Sequence, residues 1–149
     1  MEKQKVKVSC FNCGQTNYYP VDGQPDLGRR VVCGRCHSPL PRPGDVLEVQ
    51  PNQAMALISR SSLPVLVDFY SPSCGPCHLM APVLERLARR RAGELMVIKI
   101  NVDEFPQMAA QVGIQAVPTF IVFHKNVERG RMTGASGETD FALWVARLT

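Results

Sequence analysis

The stretch VLVDFYSPSCGPCHLMAPVLERLA, residues 65–88, decides how this chain folds. It opens as a continuous apolar run with β-branched members, the pattern of a strand covered on both faces. Beyond the CGPC tetrapeptide the apolar residues Leu79, Met80, Val83, Leu84 and Leu87 recur at helical spacing, while Glu85, Arg86, Arg89 and Arg90 fall elsewhere on the wheel. The pattern predicts a helix over about residues 74–91, with Gly93 as its stop. LMVIKINV, residues 95–102, is a second buried strand. Strand, helix and strand with a crossover of this length make a βαβ unit, so the two strands run parallel.

Outward from this unit, VLEV (46–49) suits a short strand, and Asn52 suits the N-cap of a helix running to about Ser59. A short helix is expected at 106–111. TFIVFH (119–124) and ERGRMTG (128–134) read as an antiparallel hairpin turning near Asn126, and 138–148 as an amphipathic last helix. The expected class is α/β, a mixed central sheet with helices on both faces. Residues 1–38 differ: they are polar, turn-rich and too few to build a core unaided. SPLPRPGD (38–45) reads as a connector. The expected units are therefore residues 1–38, a Pro-rich linker at 39–45 and a main domain at 46–149.

Six cysteines fall into three C-x2-C pairs. Cys74 and Cys77 stand where a strand gives way to a helix. The first helical N–H groups there lack intrahelical partners and carry partial positive charge, which favours a thiolate. The i, i+3 spacing puts the second sulfur on the same face, within disulfide reach. Gly75 permits a tight turn, and Pro76 suits the first helical turn, where its missing N–H costs nothing. Cys74 is expected to be the exposed attacker and Cys77 the deeper resolving thiol. The alternative is a third half-site for a metal. Asp68 interrupts an otherwise apolar strand, so burial should raise its pKa and suit it to carry a proton for Cys77. Lys99 interrupts the neighbouring strand and could pair with Asp68. A purely structural ion pair is the competing reading.

The chain here resembles the thioredoxin family. VLVDFYSPSCGPCHLMAPVLERLA matches that family's first strand-to-helix segment, IKINVDEFPQMAAQVGIQAVPTFIVF its middle region, and TGASG the glycine turn before its last helix. The resemblance implies a thioredoxin fold and protein-disulfide reductase activity. It further implies that Pro118 is a cis-proline beside the sulfurs and that Pro82 kinks the active-site helix. Val117 would offer backbone hydrogen bonds to substrate, with Gly75, Pro76 and Gly134 completing the contact surface. This chain departs from the family where Ser73 and Tyr70 replace the usual tryptophans. His78 stands where Lys or Arg is frequent; as an imidazolium it would favour a Cys74 thiolate, and otherwise it is a solvent-facing helix residue.

Cys10, Cys13, Cys33 and Cys36 spell C-x2-C-x19-C-x2-C, the spacing of a tetrahedral zinc site built from two knuckles. Gly14 and Gly34 suit the tight turns, and metal binding and folding of this segment should be one event. His37 adjoins Cys36 but four cysteines already fill the site; two disulfides are the alternative. A zinc ribbon ahead of such a domain resembles the zinc-bearing bacterial class often called thioredoxin 2, where the metal is associated with oxidative conditions.

The net charge of +4 belongs to residues 1–44, whose seven Lys/Arg outnumber three acids, while the remainder is balanced. No aromatic and basic interleaving accompanies it, so nucleic acid is not an expected partner. With no apolar leader and no membrane-length run, the cytoplasm is the expected compartment. Expected partners are disulfide-containing proteins and, by the resemblance, an NADPH-dependent flavoprotein thioredoxin reductase. Zn2+ is the expected cofactor, no bound organic cofactor is expected, and the chain should be a monomer. A disulfide isomerase or oxidase, or a zinc-ribbon adaptor with a basic binding surface, are the alternative functions.

Overall fold

The computed structural model describes residues 5–20 and 31–149. Of the residues behind the N-terminal charge pattern, Glu2, Lys3, Asp22, Asp26, Arg29 and Arg30 lie outside the described residues. The elements in chain order are β1 (Lys5–Ser9), β2 (Thr16–Pro20), β3 (Val46–Glu48), α1 (Pro51–Arg60), β4 (Val65–Tyr70), α2 (Gly75–Arg90), β5 (Met96–Asn101), α3 (Pro106–Val112), β6 (Thr119–His124), β7 (Val127–Thr133) and α4 (Glu138–Leu148).

The apolar run of β4 takes the centre of a five-stranded sheet ordered β3-β5-β4-β6-β7. β3, β5 and β4 are parallel, as a right-handed βαβ crossover requires, and β6 and β7 run antiparallel to complete a mixed sheet. Alternation along β4 divides the interior in two. Val65, Val67 and Phe69 pack with Ala54 and Leu57 of α1 on one face. Leu66 packs with Met80, Leu84 and Leu87 of α2 and Phe141 of α4 on the other. Phe141 meets Phe120 of β6 edge-on, with ring centroids 4.8 Å apart. Asp68, two residues after Leu66, shares the α2 face, because side chains of a strand alternate with period two. The mixed sheet with helices on both faces is the architecture expected.

Boundaries shift where local chemistry overrides pattern. α1 begins at Pro51 with Gln50 as its cap, not Asn52; Gln50 and Gln53 close a reciprocal capping box. The proline explains the shift: its ring presets helical φ at the first position, so the residue before it is the cap. The hairpin turn is Lys125–Asn126, both with positive φ, which draws β7 back to Val127.

The N-terminal segment forms an antiparallel hairpin, β1 with β2, docked on the α1 face. Val8 is 1% exposed and belongs to the same apolar cluster as Leu57, Val67 and Met96. Ser9 Oγ lies 2.6 Å from Ser61 Oγ, Ser62 N–H donates to Thr16 Oγ1 at 3.0 Å, and Arg60 reaches the Cys13 carbonyl at 3.4 Å. Leu40 packs against that cluster too, so the connector runs along the molecule. A segment that cannot enclose a core of its own thus borrows one. Gly14, with φ +81°, marks the closest approach: a Cβ there would run into the Ala56 carbonyl of α1.

Gly14→Ala should therefore destabilise the whole chain by about 1–3 kcal/mol, from overpacking and left-handed strain together. Chemical denaturation followed by far-ultraviolet circular dichroism and by tryptophan fluorescence should show one transition, moved to lower denaturant.

Candidate active site and metal centre

The last residue before α2 is Cys74, whose sulfur serves as the helix cap. The Cys77 N–H donates to Cys74 Sγ at 3.1 Å, and the His78 N–H to the Cys74 carbonyl at 3.3 Å. Ser, Thr or Asp usually fills this role; a sulfur accepting the bond gains stabilisation as an anion, since N-terminal amides favour negative charge. The two sulfurs are joined as a disulfide, with Cα atoms 5.2 Å apart. Cys74 is half-buried while Cys77 is only 5% exposed. Pro76 lies in the first turn, and Pro82 inside the helix. Gly75 needs no glycine-only backbone: its φ is not positive, and a Cβ would meet nothing within 4 Å. The turn that glycine was expected to permit is available to other residues.

On the face of β4 that α2 covers, Asp68 is 3% exposed and its Oδ1 has no hydrogen-bond partner. Burial pushes its carboxyl up to about 7, and the Lys99 charge offsets part of that rise. Lys99 is the direct cross-strand neighbour of Asp68. The ion pair that the sequence permits does not close: Lys99 Nζ lies 5.0 Å from the centroid of the Tyr70 ring instead. Asp68, Tyr70, Cys77 and Lys99 line one cavity of about 490 Å³, which gives the carboxyl a path to water.

Around Cys74, the Val117–Pro118 peptide is cis, as the resemblance implies. The Val117 carbonyl oxygen lies 3.7 Å from Cys74 Sγ. Gly134, with φ +94°, donates its N–H to the Pro118 carbonyl at 2.8 Å, tying the turn after β7 to the loop before β6. Sequence reasoning missed the polar group at this rim. Ser71 Oγ donates to Asp103 Oδ2 at 2.6 Å and lies 3.1 Å from Ser73 Oγ. A Ser-x-Ser before the first cysteine was the available signal, but nothing local pointed to Asp103. His78 is exposed on α2, and its Nε2 lies 2.7 Å from the Pro72 carbonyl oxygen, linking the helix to the loop before it.

The other four sulfurs also converge. Those of Cys10, Cys13, Cys33 and Cys36 all lie within 4.8 Å of one another, and none is in a disulfide. Cys10 to Cys36 and Cys13 to Cys33 are both 3.6 Å, close to the edge of about 3.8 Å that metal–sulfur bonds near 2.3 Å give a tetrahedron. The two loops repeat one geometry. Gly14 N–H donates to the Cys10 carbonyl at 2.8 Å and His37 N–H to the Cys33 carbonyl at 3.0 Å, both from residues with positive φ. The left-handed position of the second loop is thus His37, not Gly34, whose φ is not positive. Amides of Asn12 and Arg35 point at Cys10 and Cys33 sulfur, each at 3.4 Å. Hydrogen bonds from Ser38 bring Cys36 down to about 5, whereas burial pushes Cys10 up to about 12. A divalent cation is the charge that would let all four be thiolates, so the donor set fits a soft tetrahedral ion.

The family model that matches is Thioredoxin, over residues 45–147. Thioredoxin C-3 of Corynebacterium nephridii is 30% identical over 93% of this chain and 92% of its own length, a span that reaches into the N-terminal segment. Thioredoxin 1 of Nostoc sp. is 43% identical over 53% of this chain and 74% of its own. Among solved structures, a mutant thioredoxin from Halobacterium salinarum superposes with a TM-score of 0.66 at 30% identity, covering 73% of this chain and 95% of that one.

The buried carboxyl gives this site a signature in stability. Asp68 titrates near 7 in the folded chain against 3.8 when unperturbed. Between those values the folded state keeps a proton that the unfolded state has lost, so stability falls as pH rises through the window. Asp68→Asn should remove this slope. The variant should exceed the wild type by up to about 4 kcal/mol at pH 8, with the gap shrinking toward pH 4 in urea denaturation of the oxidised proteins.

Proposed function

The chain belongs to the thioredoxin family, and from that premise we propose how its residues divide the work of reducing protein disulfides. It is a thiol–disulfide oxidoreductase, and its Cys74–Cys77 pair is the redox couple. The observation that carries the assignment of roles is the Cys74 sulfur capping α2 with the Cys77 amide bonded to it. In the reduced protein Cys74, as thiolate, attacks one sulfur of a substrate disulfide, and the other substrate sulfur leaves as a thiolate. Cys77 then gives up its proton to the Asp68 carboxylate and attacks Cys74 Sγ. The second substrate sulfur departs, and substrate has gained two electrons and two protons. The cavity beneath supplies the route by which Asp68 returns its proton to water.

Substrate would lie along the Val117 backbone, beside Pro118, with Gly75, Pro76 and Gly134 completing the contact. The bond from Gly134 to the Pro118 carbonyl supports this by holding the two loops in one surface. Where relatives carry indoles, this chain presents Ser73 and the Ser71–Asp103 hydroxyl network, so its docking surface is more polar. The Gly-Pro between the cysteines fits a reductase in preference to an isomerase or oxidase. An NADPH-dependent flavoprotein thioredoxin reductase would return the protein to the dithiol state. No helix among the described residues is long and apolar enough to cross a membrane. A cytoplasmic, monomeric protein fits this reading.

We further propose that Cys10, Cys13, Cys33 and Cys36 hold one structural Zn2+ and that the chain is a zinc-bearing thioredoxin. The spacing of the sulfurs and the paired loop geometry support it. The ion when bound would offset half the charge of the four thiolates and cross-link the two knuckles; the disulfide chemistry does not pass through it.

Two measurements test these readings. In insulin reduction, Cys74→Ser should be inactive, and Cys77→Ser should accumulate a mixed disulfide visible by mass spectrometry; a fully active Cys74→Ser would remove the assignment. Metal analysis should find one zinc per chain. A chelator that removes it should lower the thermal midpoint, and reductase turnover at 25 °C should persist.

A further inference from the structure

Asp68 raises a question that disulfide exchange does not answer by itself. An ammonium on the adjacent strand would ordinarily neutralise a buried carboxylate by closing an ion pair. Lys99 stands opposite Asp68 in register, yet Asp68 Oδ1 is without a partner and Lys99 Nζ lies over Tyr70. Tyr70 follows Asp68 by two residues on β4 and so projects from the same face of the sheet. The lysine therefore has two partners within reach of one backbone position, a carboxyl and a ring face, and it takes the ring.

We propose that Tyr70 is a positioning residue of the reductase: its ring face holds the Lys99 ammonium off Asp68 and thereby sets the proton affinity of that carboxyl. The proposal deepens the reading of Asp68 as the proton carrier for Cys77 and rests on it for its functional consequence. A cation is drawn to the negative face of an aromatic ring, a pull that an aliphatic side chain cannot exert. Without the ring, the carboxyl is the remaining partner for Lys99. An opposite charge within about 4–6 Å lowers a carboxyl pKa by about 1–3 units.

The other charged groups lining the cavity are engaged elsewhere or sit at its mouth. On α2, Glu85 and Arg89 face each other at 4.0 Å and both are exposed. His78 is bonded to the Pro72 carbonyl. Asp45, just before β3, is exposed, and Cys77 is tied in the disulfide. Lys99 is the charge acting on Asp68.

The test follows the Asp68 carboxyl directly, by carbon-13 NMR titration of full-length protein, with Asp68→Asn to assign the signal. Tyr70→Phe keeps the ring face and should titrate with the wild type. Tyr70→Leu should titrate about 1–3 pH units lower, and adding Lys99→Met to it should raise the midpoint again. A Tyr70→Leu midpoint equal to wild type overturns the proposal. So does a Phe variant shifted as far as Leu, or a Leu shift that Lys99→Met fails to reverse. The pH profile of mixed-disulfide resolution, measured in single turnover, separates the two readings. If the carboxyl midpoint moves as expected and the rate profile stays put, Tyr70 does hold Lys99, and Asp68 is not the proton carrier.

Discussion

One hydrogen bond, from the amide of Cys77 to the sulfur of Cys74, organises the rest. It exists because a four-residue turn, 71–74, carries the chain from β4 into α2 and leaves a sulfur where an oxygen would ordinarily cap. That junction has to be rigid to be useful. Rigidity comes from β4 being paired on both sides, with β5 parallel and β6 antiparallel, and covered on both faces. The same alternation that buries Leu66 under α2 puts Asp68 on that face, where it lines one cavity with Cys77. Position and proton affinity are thus two results of a single geometric fact.

Much of this was legible in the sequence. The apolar run, the helical spacing after CGPC and the second apolar run fix a βαβ unit, and C-x2-C spacing at a helix start has few chemical uses. That the four N-terminal cysteines belong together was legible from spacing, because each C-x2-C pair closes a short loop with both sulfurs on one side. What stayed hidden depends on distance along the chain or on competition between partners. The β1–β2 hairpin was not read, since KVKVS and TNYYP are ordinary polar stretches whose pairing is fixed by what Val8 docks against. Asp103 lies 32 residues from Ser71, and no local pattern joins them. The choice Lys99 makes between Asp68 and Tyr70 is a matter of side-chain rotamer, which no periodicity records. Asn52 is the better cap by residue type, and Pro51 overrides that preference by fixing where the helix begins.

The two faces of the sheet have separate occupations. The cysteine-rich segment leans on α1 and feeds Val8 and Leu40 into the cluster beneath it. The redox chemistry belongs to α2 and the other face. Val67 and Phe69 flank Asp68 in the sequence while packing in the cluster that contains Val8, so the described residues of the segment support this strand from the face opposite Asp68.

The paired cysteine loops look equivalent in backbone, and their surroundings make them unequal. The loop of Cys10 and Cys13 is pressed so closely on α1 that its left-handed residue has no room for a side chain. The loop of Cys33 and Cys36 carries a histidine at the same point, exposed; its Gly34 N–H donates to Asn17 of β2, and Asn12 of the first loop donates to Ser38 just beyond it. The two loops are thus held unequally: the first is seated directly on α1, and the second is tied to the rest of the segment by side-chain hydrogen bonds.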